Sequence, residues 1–234
     1  MTMECNAEGR NHPDREMRIR LSLPEIDAIC FKAARGAGYS WGMAEEASFA
    51  ARWLAARGLP GPEILLAHLH QFDGKAWDEI APLVGEVWCG RGGGILCALA
   101  AGSALSDRAG LPGNSGAEPF RIENLARPML ILPFVHQVAK AQGVDLSVRW
   151  GQSEAILSAN GWRIDAEETV ADRSETAAVE ICKVDRPGKA GALSADSLIE
   201  NATLRGLLAF AHRTYVPATD QSRAGAGAAS SDND

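Results

Sequence analysis

The fold is decided by residues 22–61, which read SLPEIDAICFKAARGAGYSWGMAEEASFAARWLAARGLPG. Ser22 and Glu25 have the spacing of a capping box, in which the hydroxyl accepts from a first-turn N–H and the carboxylate accepts from the N–H of the cap residue. Apolar side chains then recur at one-turn spacing from Ile26 to Ala33, which predicts an amphipathic helix ending near Gly36.

A second helix is predicted to follow the glycine-containing turn. Ser40 is of the residue type that caps helix N-termini, and Arg57 and Gly58 supply the cationic last turn and the glycine that end a helix. The body of this helix carries a face of small residues, which indicates close contact with a neighbouring helix. We therefore expect an αα-hairpin with the rest of the chain packed around it.

Several phrases of the chain resemble a family of uncharacterised, mainly proteobacterial proteins. The resemblance begins in ARGAGYSWGMAEEA and AARWLAARGLPG, continues through LCALAAGSALSDRAG and RPMLILPF, and reaches the closing TYVPATDQSRAGAGAASSDND, so it covers nearly the whole chain. It implies no activity that can be transferred.

The hairpin also faintly resembles the N-terminal helices of the malate/L-lactate dehydrogenase family that is not Rossmann-folded. In that family a Ser-His-Gly segment follows the second helix, and its histidine takes part in the chemistry. Here residues 58–61 read GLPG, without a histidine. This resemblance therefore implies a shared helical shape and no shared reaction.

Length and composition predict a soluble globular protein. The 234 residues are 46% hydrophobic and 23% charged, which suits a domain with a substantial core. We predict a disordered extension over residues 1–16, a single α+β domain over 17–220 and a Gly/Ala/Ser-rich tail over 221–234. The net charge of −7 and the scattered Lys and Arg argue against a nucleic-acid partner or an anionic membrane surface.

The same sequence predicts a cytoplasmic location. No apolar run has the length of a membrane span, and the polar start has no hydrophobic signal region. The five cysteines include no CxxC pair, which favours reduced thiols over a disulfide framework.

The middle of the chain is the least regular part. We expect a third helix from Pro62, a fourth helical segment over residues 76–84 and an exposed loop over 111–119. Residues 95–105 are apolar and rich in small side chains, and periodicity does not distinguish a buried strand from a buried helix there. Gly102 and the preceding glycine loop favour extended structure.

The C-terminal half predicts a small sheet. Pro133 and Gly143 are expected to open and end a helix, and a period-two pattern begins at residue 145. Asn160-Gly161 is a strong hairpin signal, and residues 176–184 read as a further strand. Ser197 and Glu200 repeat the capping-box spacing, which predicts a last helix to about residue 213. The order of elements predicts an α+β fold, with the helical hairpin and further helices packed on a small, mainly antiparallel sheet.

The glycine loop at residues 90–94, GRGGG, lacks both the Lys-Ser/Thr pair of a Walker loop and the context of a dinucleotide fingerprint. We predict a flexible turn and no cofactor, with Arg91 as a candidate anion ligand. Cys89 is the best thiol candidate because Arg91 is close in sequence. The alternative is that Cys89 is a buried small hydrophobe.

Histidines at positions 68 and 70 lie on different faces of a helix, which is poor geometry for sharing a metal. We predict no metal site, with His68 among its apolar neighbours and His70 facing solvent.

Aromatic and tail residues complete the candidate ligand contacts. We expect Trp41 to be partly exposed beside Tyr39, where the two rings line either a pocket or a dimer contact. The tail is either disordered or docked across a cleft or a partner subunit, and docking would make Tyr215 and Arg223 cleft residues.

Two functions fit these observations. One is a non-catalytic accessory or structural subunit, a homo-oligomer (a homodimer) whose alanine-rich helical faces form the interface. The other is a small-molecule enzyme or ligand-binding protein with a pocket between the helical hairpin and the C-terminal sheet. In that pocket Arg35, Arg57 or Arg91 would hold a substrate carboxylate, because a guanidinium matches its planar geometry.

Overall fold

A computed structural model describes residues 18–108, 119–165, 176–186, 188–189 and 191–215. Its helices are α1 (Leu23–Gly36), α2 (Trp41–Ala55), α3 (Gly61–Phe72), α4 (Trp77–Ile80), α5 (Ala98–Asp107), α6 (Leu132–Gln142) and α7 (Asn201–His212). Its strands are β1 (Arg18–Ser22), β2 (Val87–Trp88), β3 (Leu96–Cys97), β4 (Phe120–Ala126), β5 (Asp145–Trp150), β6 (Ser153–Ser158), β7 (Gly161–Asp165), β8 (Thr176–Val184) and β9 (Asp196–Glu200). Two 3₁₀ turns cover Arg91–Gly93 and Pro128–Ile131. The α+β fold class is confirmed.

The predicted helical hairpin is confirmed at both of its caps. The backbone N–H of Ser22 donates to Glu25 Oε2 at 2.8 Å, and the Glu25 N–H donates to Ser22 Oγ at 3.4 Å. At the start of α2, Ser40 Oγ accepts from the backbone N–H of Met43 at 3.3 Å. The small-residue face of α2 lies inside the chain, where α2 contacts α1, α3, α5 and α6; its fully buried alanines are Ala44, Ala47, Ala50, Ala51 and Ala55.

We expect replacement of Ser40 by alanine to lower the free energy of unfolding by about 1 kcal/mol, because the Met43 N–H loses its acceptor. Ser40→Asp keeps a capping oxygen and should retain the stability of the parent protein. Urea unfolding followed by circular dichroism measures both. Equal losses in the two variants would show that the cap does not stabilise α2.

The main sheet has the order β2-β4-β8-β5-β6-β7, with β3 also beside β4. The short strands β2 and β3 run parallel to β4, and the other neighbours are antiparallel. The predicted hairpin around Asn160 is confirmed, since Ser158 pairs with Gly161 across the β6–β7 turn. Helix α6 contacts β5 and β6, and its predicted left-handed end at Gly143 is also confirmed.

A separate two-stranded ribbon pairs β1 with β9, from Arg18 opposite Glu200 to Ser22 opposite Asp196. The capping box predicted at Ser197 is wrong: Ser197 lies in β9, and α7 begins only at Asn201. The reason is tertiary, because the backbone of β9 satisfies its hydrogen bonds with β1 instead of turning into a helix.

Two further expectations need correction. Residues 95–105 were expected to be extended, but only Leu96–Cys97 is a strand, and the residues from Ala98 onward belong to α5. Gly102 lies in α5, where a Cβ would overlap the ring of Phe134 on α6; the glycine therefore marks a close contact of α5 with Phe134. The segment predicted over 76–84 is helical only over Trp77–Ile80. Ala81 is extended because Pro82 follows it.

The domain boundaries stay predictions. The extension at residues 1–16 and the tail at 221–234 lie outside the described residues, as does most of the loop expected at 111–119. Within the part of the chain that the structure describes, no helix is long and apolar enough to cross a membrane.

Candidate functional site

A pocket of about 250 Å³ opens where the end of α2, helix α6 and the β6–β7 turn meet. We call it the Arg57 pocket; it is lined by Arg57, His136, Lys140, Ala159, Asn160, Gly161, Trp162, Gly191 and Leu193. It lies between the helical hairpin and the C-terminal sheet. No carboxylate side chain is among the described residues that line it.

Arg57 is held in place by two tryptophans. Its Nη1 donates to the carbonyl of Trp53 at 3.0 Å, and its guanidinium carbon lies 3.5 Å from the centroid of the Trp53 ring and 5.6 Å from that of Trp162. Its Nε is buried and has no hydrogen-bond partner among the described residues. Burial lowers the pKa of Arg57 to about 10, so the guanidinium is still charged at neutral pH.

His136 forms the wall behind Arg57. Trp53 Nε1 donates to its Nδ1 at 3.1 Å, and its Nε2 lies 3.0 Å from the carbonyl oxygen of Ser158. Because Nδ1 accepts, these partners place the ring proton on Nε2, which donates to Ser158. Burial, and then the charge of Arg57, lower the pKa of His136 to about 4. His136 is therefore neutral at pH 7, and the positive charges of the pocket come from Arg57 and Lys140.

These groups suit the binding of a small anion. A guanidinium with free donor capacity, an ammonium and the Asn160 amide supply polar contacts, while Trp162 supplies an apolar wall. Both ring nitrogens of His136 are already hydrogen-bonded. The arrangement favours holding an anionic ligand over moving a proton.

The aromatic pair predicted near the hairpin turn is split. Tyr39 is buried, with 6% of its surface exposed, and its hydroxyl lies 3.8 Å from Cys97 Sγ. Trp41 is 64% exposed, which confirms its expected exposure, and it packs edge to face against Phe31 at 5.0 Å. Arg35 donates to the carbonyl of Tyr39 at 2.5 Å and does not line the Arg57 pocket.

The remaining candidates also lie away from the pocket. Arg91 is exposed and its Nε donates to the carbonyl of Asp78 at 3.3 Å. Cys89 is partly buried in a backbone bridge to Leu83. Tyr215 is 57% exposed and packs on His212, and Arg223 lies outside the described residues. Of the six ligand candidates that the structure describes, Arg57 is the one that lines this pocket.

A second cluster joins three elements that sequence reasoning did not connect. Cys97 caps the N-terminus of α5, where its Sγ accepts from the Ala100 N–H at 3.4 Å and lies 3.2 Å from His68 Nε2. Tyr39 completes the cluster. The predicted environments of His68, buried, and His70, exposed, are confirmed. No motif spacing links Tyr39, His68 and Cys97, so only the fold brings them together.

Burial keeps His68 and Cys97 neutral. Burial, and then the charge of Arg127, lower the pKa of His68 to about 3. Burial raises the pKa of Cys97 to about 11, against hydrogen bonds from the start of α5 and from Tyr39 that lower it. Among the described residues, no group of three or more His, Cys, Asp or Glu side chains is arranged to hold a metal ion.

Comparison with known proteins gives one match. No curated protein and no solved structure matches the chain. Residues 21–94, about a third of the chain, match the model of a family described as Protein of unknown function (DUF3726). The matched segment contains the helical hairpin, Arg57 and His68, and it supports the predicted relation to a family of unknown function.

Proposed function

We propose that the protein is a non-catalytic subunit that binds a small carboxylate-bearing metabolite in the Arg57 pocket. The observation that carries this proposal is that Arg57 is a half-buried cation without a counter-charge. Its Nε is buried and lacks a hydrogen-bond partner among the described residues, and no described carboxylate lines the pocket. Burying a charge without an opposite charge costs free energy. A bound carboxylate would offset that cost.

The geometry supports a small, planar anion. The guanidinium is oriented by its stacking on Trp53 and by its hydrogen bond to the Trp53 carbonyl, so little side-chain entropy is lost when a ligand binds. The pocket volume of about 250 Å³ lies below the range of about 300–1,000 Å³ that is usual for drug-sized ligands. Trp162 and Leu193 would contact the apolar part of the ligand.

The non-catalytic part of the proposal is supported by His136. A general base needs a free lone pair near the reacting proton and a pKa near the working pH. Here Nδ1 accepts from Trp53, Nε2 donates to Ser158, and the pKa lies at about 4. His136 therefore orients Trp53, which in turn orients Arg57.

The sequence analysis predicted that the alanine-rich face of α2 would form the interface of a homodimer, and a homodimer would have to use another surface. The alanines of α2 are buried within one chain, so they are not available to a second copy. The setting that we propose is the bacterial cytoplasm. Cys30, Cys89, Cys97 and Cys182 are all free thiols in the described structure, which fits a reducing compartment.

Isothermal titration against a panel of small mono- and dicarboxylates tests the ligand proposal, with the matching uncharged amides as negative compounds. We expect at least one carboxylate to bind saturably. Arg57→Gln should weaken that binding at least tenfold, because the bidentate, charge-assisted contact is lost. Arg57→Lys should recover only part of it, because an ammonium lacks the planar fork.

Arg52→Gln is the matched control. Arg52 lies on the same helix but is exposed and pairs with Asp27 at 3.3 Å, so binding should be unchanged. The proposal fails if no carboxylate binds the parent protein, or if Arg57→Gln binds as tightly as Arg52→Gln.

A further inference from the structure

We propose that the exposed face of the α1–α2 hairpin binds a second copy of this chain across a two-fold axis. A groove of about 470 Å³ lies between the two helices on this face, and among the described residues each helix contributes four that line it. We call it the hairpin groove. It is separate from the Arg57 pocket, and the inference does not depend on ligand binding there.

Aromatic side chains at the hairpin groove are incompletely covered within one chain. Phe31 and Phe49 line the groove and are partly exposed. Trp41, which is 64% exposed, packs on Phe31, and its Nε1 donates to Glu45 Oε1 at 2.9 Å. Exposed apolar patches often mark interaction sites, and aromatic residues are enriched in protein interfaces.

The residues of α1 that line the groove form a self-complementary pattern. In chain order they are an acid, a small residue, an aromatic residue and a base, namely Asp27, Ala28, Phe31 and Lys32. In an antiparallel pairing with α1 of a second copy, centred between residues 29 and 30, Asp27 lies opposite Lys32. The same pairing sets Ala28 opposite Phe31. Every lining residue of α1 then faces one of complementary charge or size.

Helix α2 repeats this order. Its lining residues are again an acid, a small residue, an aromatic residue and a base, namely Glu45, Ser48, Phe49 and Arg52. An antiparallel pairing with α2 of the second copy, centred between residues 48 and 49, sets Glu45 opposite Arg52 and Ser48 opposite Phe49. Both helices therefore favour the same kind of partner, which is a copy of themselves in the reverse direction.

A single two-fold axis across the groove serves both pairings. Asp27 on α1 and Arg52 on α2 form an ion pair at 3.3 Å, so the centres of the two pairings lie at nearly the same level along the hairpin. In a two-fold interface each contact occurs twice with the roles of the two copies exchanged. The complementary charges of the groove thus identify a second copy as its occupant.

The size of the helices sets the expected affinity. Helices of 14 and 15 residues are about 22 Å long, which limits this interface to the small end of the range for specific complexes. We therefore expect a reversible dimer with a dissociation constant on the order of micromolar.

Sedimentation velocity of the full chain over a series of concentrations measures this association. Lys32→Glu should weaken it at least tenfold, because the new carboxylate would face Asp27 of the other copy in two places. Lys183→Glu is the matched control. It makes the same charge change at an exposed position of β8 in the main sheet, so association should stay as in the parent protein.

Mixing two weakened variants tests the pairing itself. Asp27→Lys should also weaken association at least tenfold, because the new ammonium would face Lys32. In a mixed dimer of Asp27→Lys with Lys32→Glu, both contacts between positions 27 and 32 join opposite charges. The equimolar mixture should therefore associate at least tenfold more tightly than either variant alone.

Rescue on mixing does not arise from a change within one chain, and circular dichroism checks that each variant is folded. The proposal is overturned if the parent protein stays monomeric at about 100 µM, or if Lys32→Glu associates as the parent protein or the Lys183→Glu control does. It is equally overturned if the mixture associates no more tightly than its components.

Discussion

Replacing Gly36 with valine is expected to lower the free energy of unfolding by at least about 3 kcal/mol. Gly36 is the last residue of α1, and a Cβ at this position would overlap the backbone carbonyl of Phe210 in α7. A backbone atom cannot rotate away as a side chain does, so the two helices would have to separate. Their separation would expose apolar surface, because α1 and α7 pack against each other and both carry buried residues.

Urea unfolding of Gly36→Val against Gly42→Ala measures this effect. Gly42 lies in α2, and a Cβ there meets no atom within 4 Å, so alanine should raise helix stability by up to about 1 kcal/mol. The two variants should therefore move the midpoint in opposite directions. An unchanged midpoint for Gly36→Val would mean that α1 and α7 are not in contact in solution.

Acid should destabilise the protein through His68 well before most carboxylates titrate. The pKa of His68 falls from the ordinary 6.5 to about 3 on folding, so between these values the unfolded chain binds a proton that the folded chain does not. The stabilising effect of the neutral ring is complete above about pH 6.5 and is lost as pH falls towards 3. The slope approaches about 1.4 kcal/mol per pH unit, which amounts to about 2–3 kcal/mol between pH 7 and pH 4.5.

The difference between the parent protein and His68→Gln isolates this contribution. His136, whose pKa also falls on folding, acts in the same direction, and Glu46 and Glu63, whose pKa values rise through burial, act in the opposite one. All three are present in both proteins and cancel in the comparison. Parallel stability–pH curves for the parent protein and His68→Gln would contradict the prediction.

Local signals predicted the elements whose hydrogen bonds are themselves local. The capping box at Ser22, the helix end at Gly143 and the hairpin at Asn160 each depend on residues at most a few positions apart, and the structure has all three. Ser197 shows the limit of this reasoning. It has the same spacing to Glu200 as Ser22 has to Glu25, yet its segment pairs with β1 and becomes a strand.

Gly102 shows a second limit. A glycine in an apolar run is compatible with a bulged strand and with a helix that a neighbour approaches closely. Which applies depends on Phe134, which lies on α6 and fills the space that a side chain would occupy. The identity of that neighbour is not encoded near residue 102.

The candidate sites also combine residues that local sequence could identify with neighbours that only the fold reveals. Guanidinium chemistry predicted Arg35, Arg57 or Arg91 as the candidate carboxylate ligand, and it took the fold to show that Arg57 is the one of these three that lines the pocket. Trp53 is only one helical turn before Arg57, but Trp162 and His136 come from β7 and α6. Tyr39, His68 and Cys97 also come from distant parts of the chain. Cys89 was the predicted thiol candidate because Arg91 is near in sequence, but the thiol that lies within hydrogen-bonding distance of a histidine in the structure is Cys97.

The β1–β9 ribbon has a consequence for how the protein is made. It joins Arg20 to Asp196, which are 176 positions apart, and each strand leads directly into one of the helices that meet at Gly36. At a translation speed of about 5–20 residues per second, the first strand waits roughly 10–35 s for its partner to leave the ribosome. Throughout that interval the nascent chain presents an uncovered apolar helix face, which is the kind of surface that chaperones recognise.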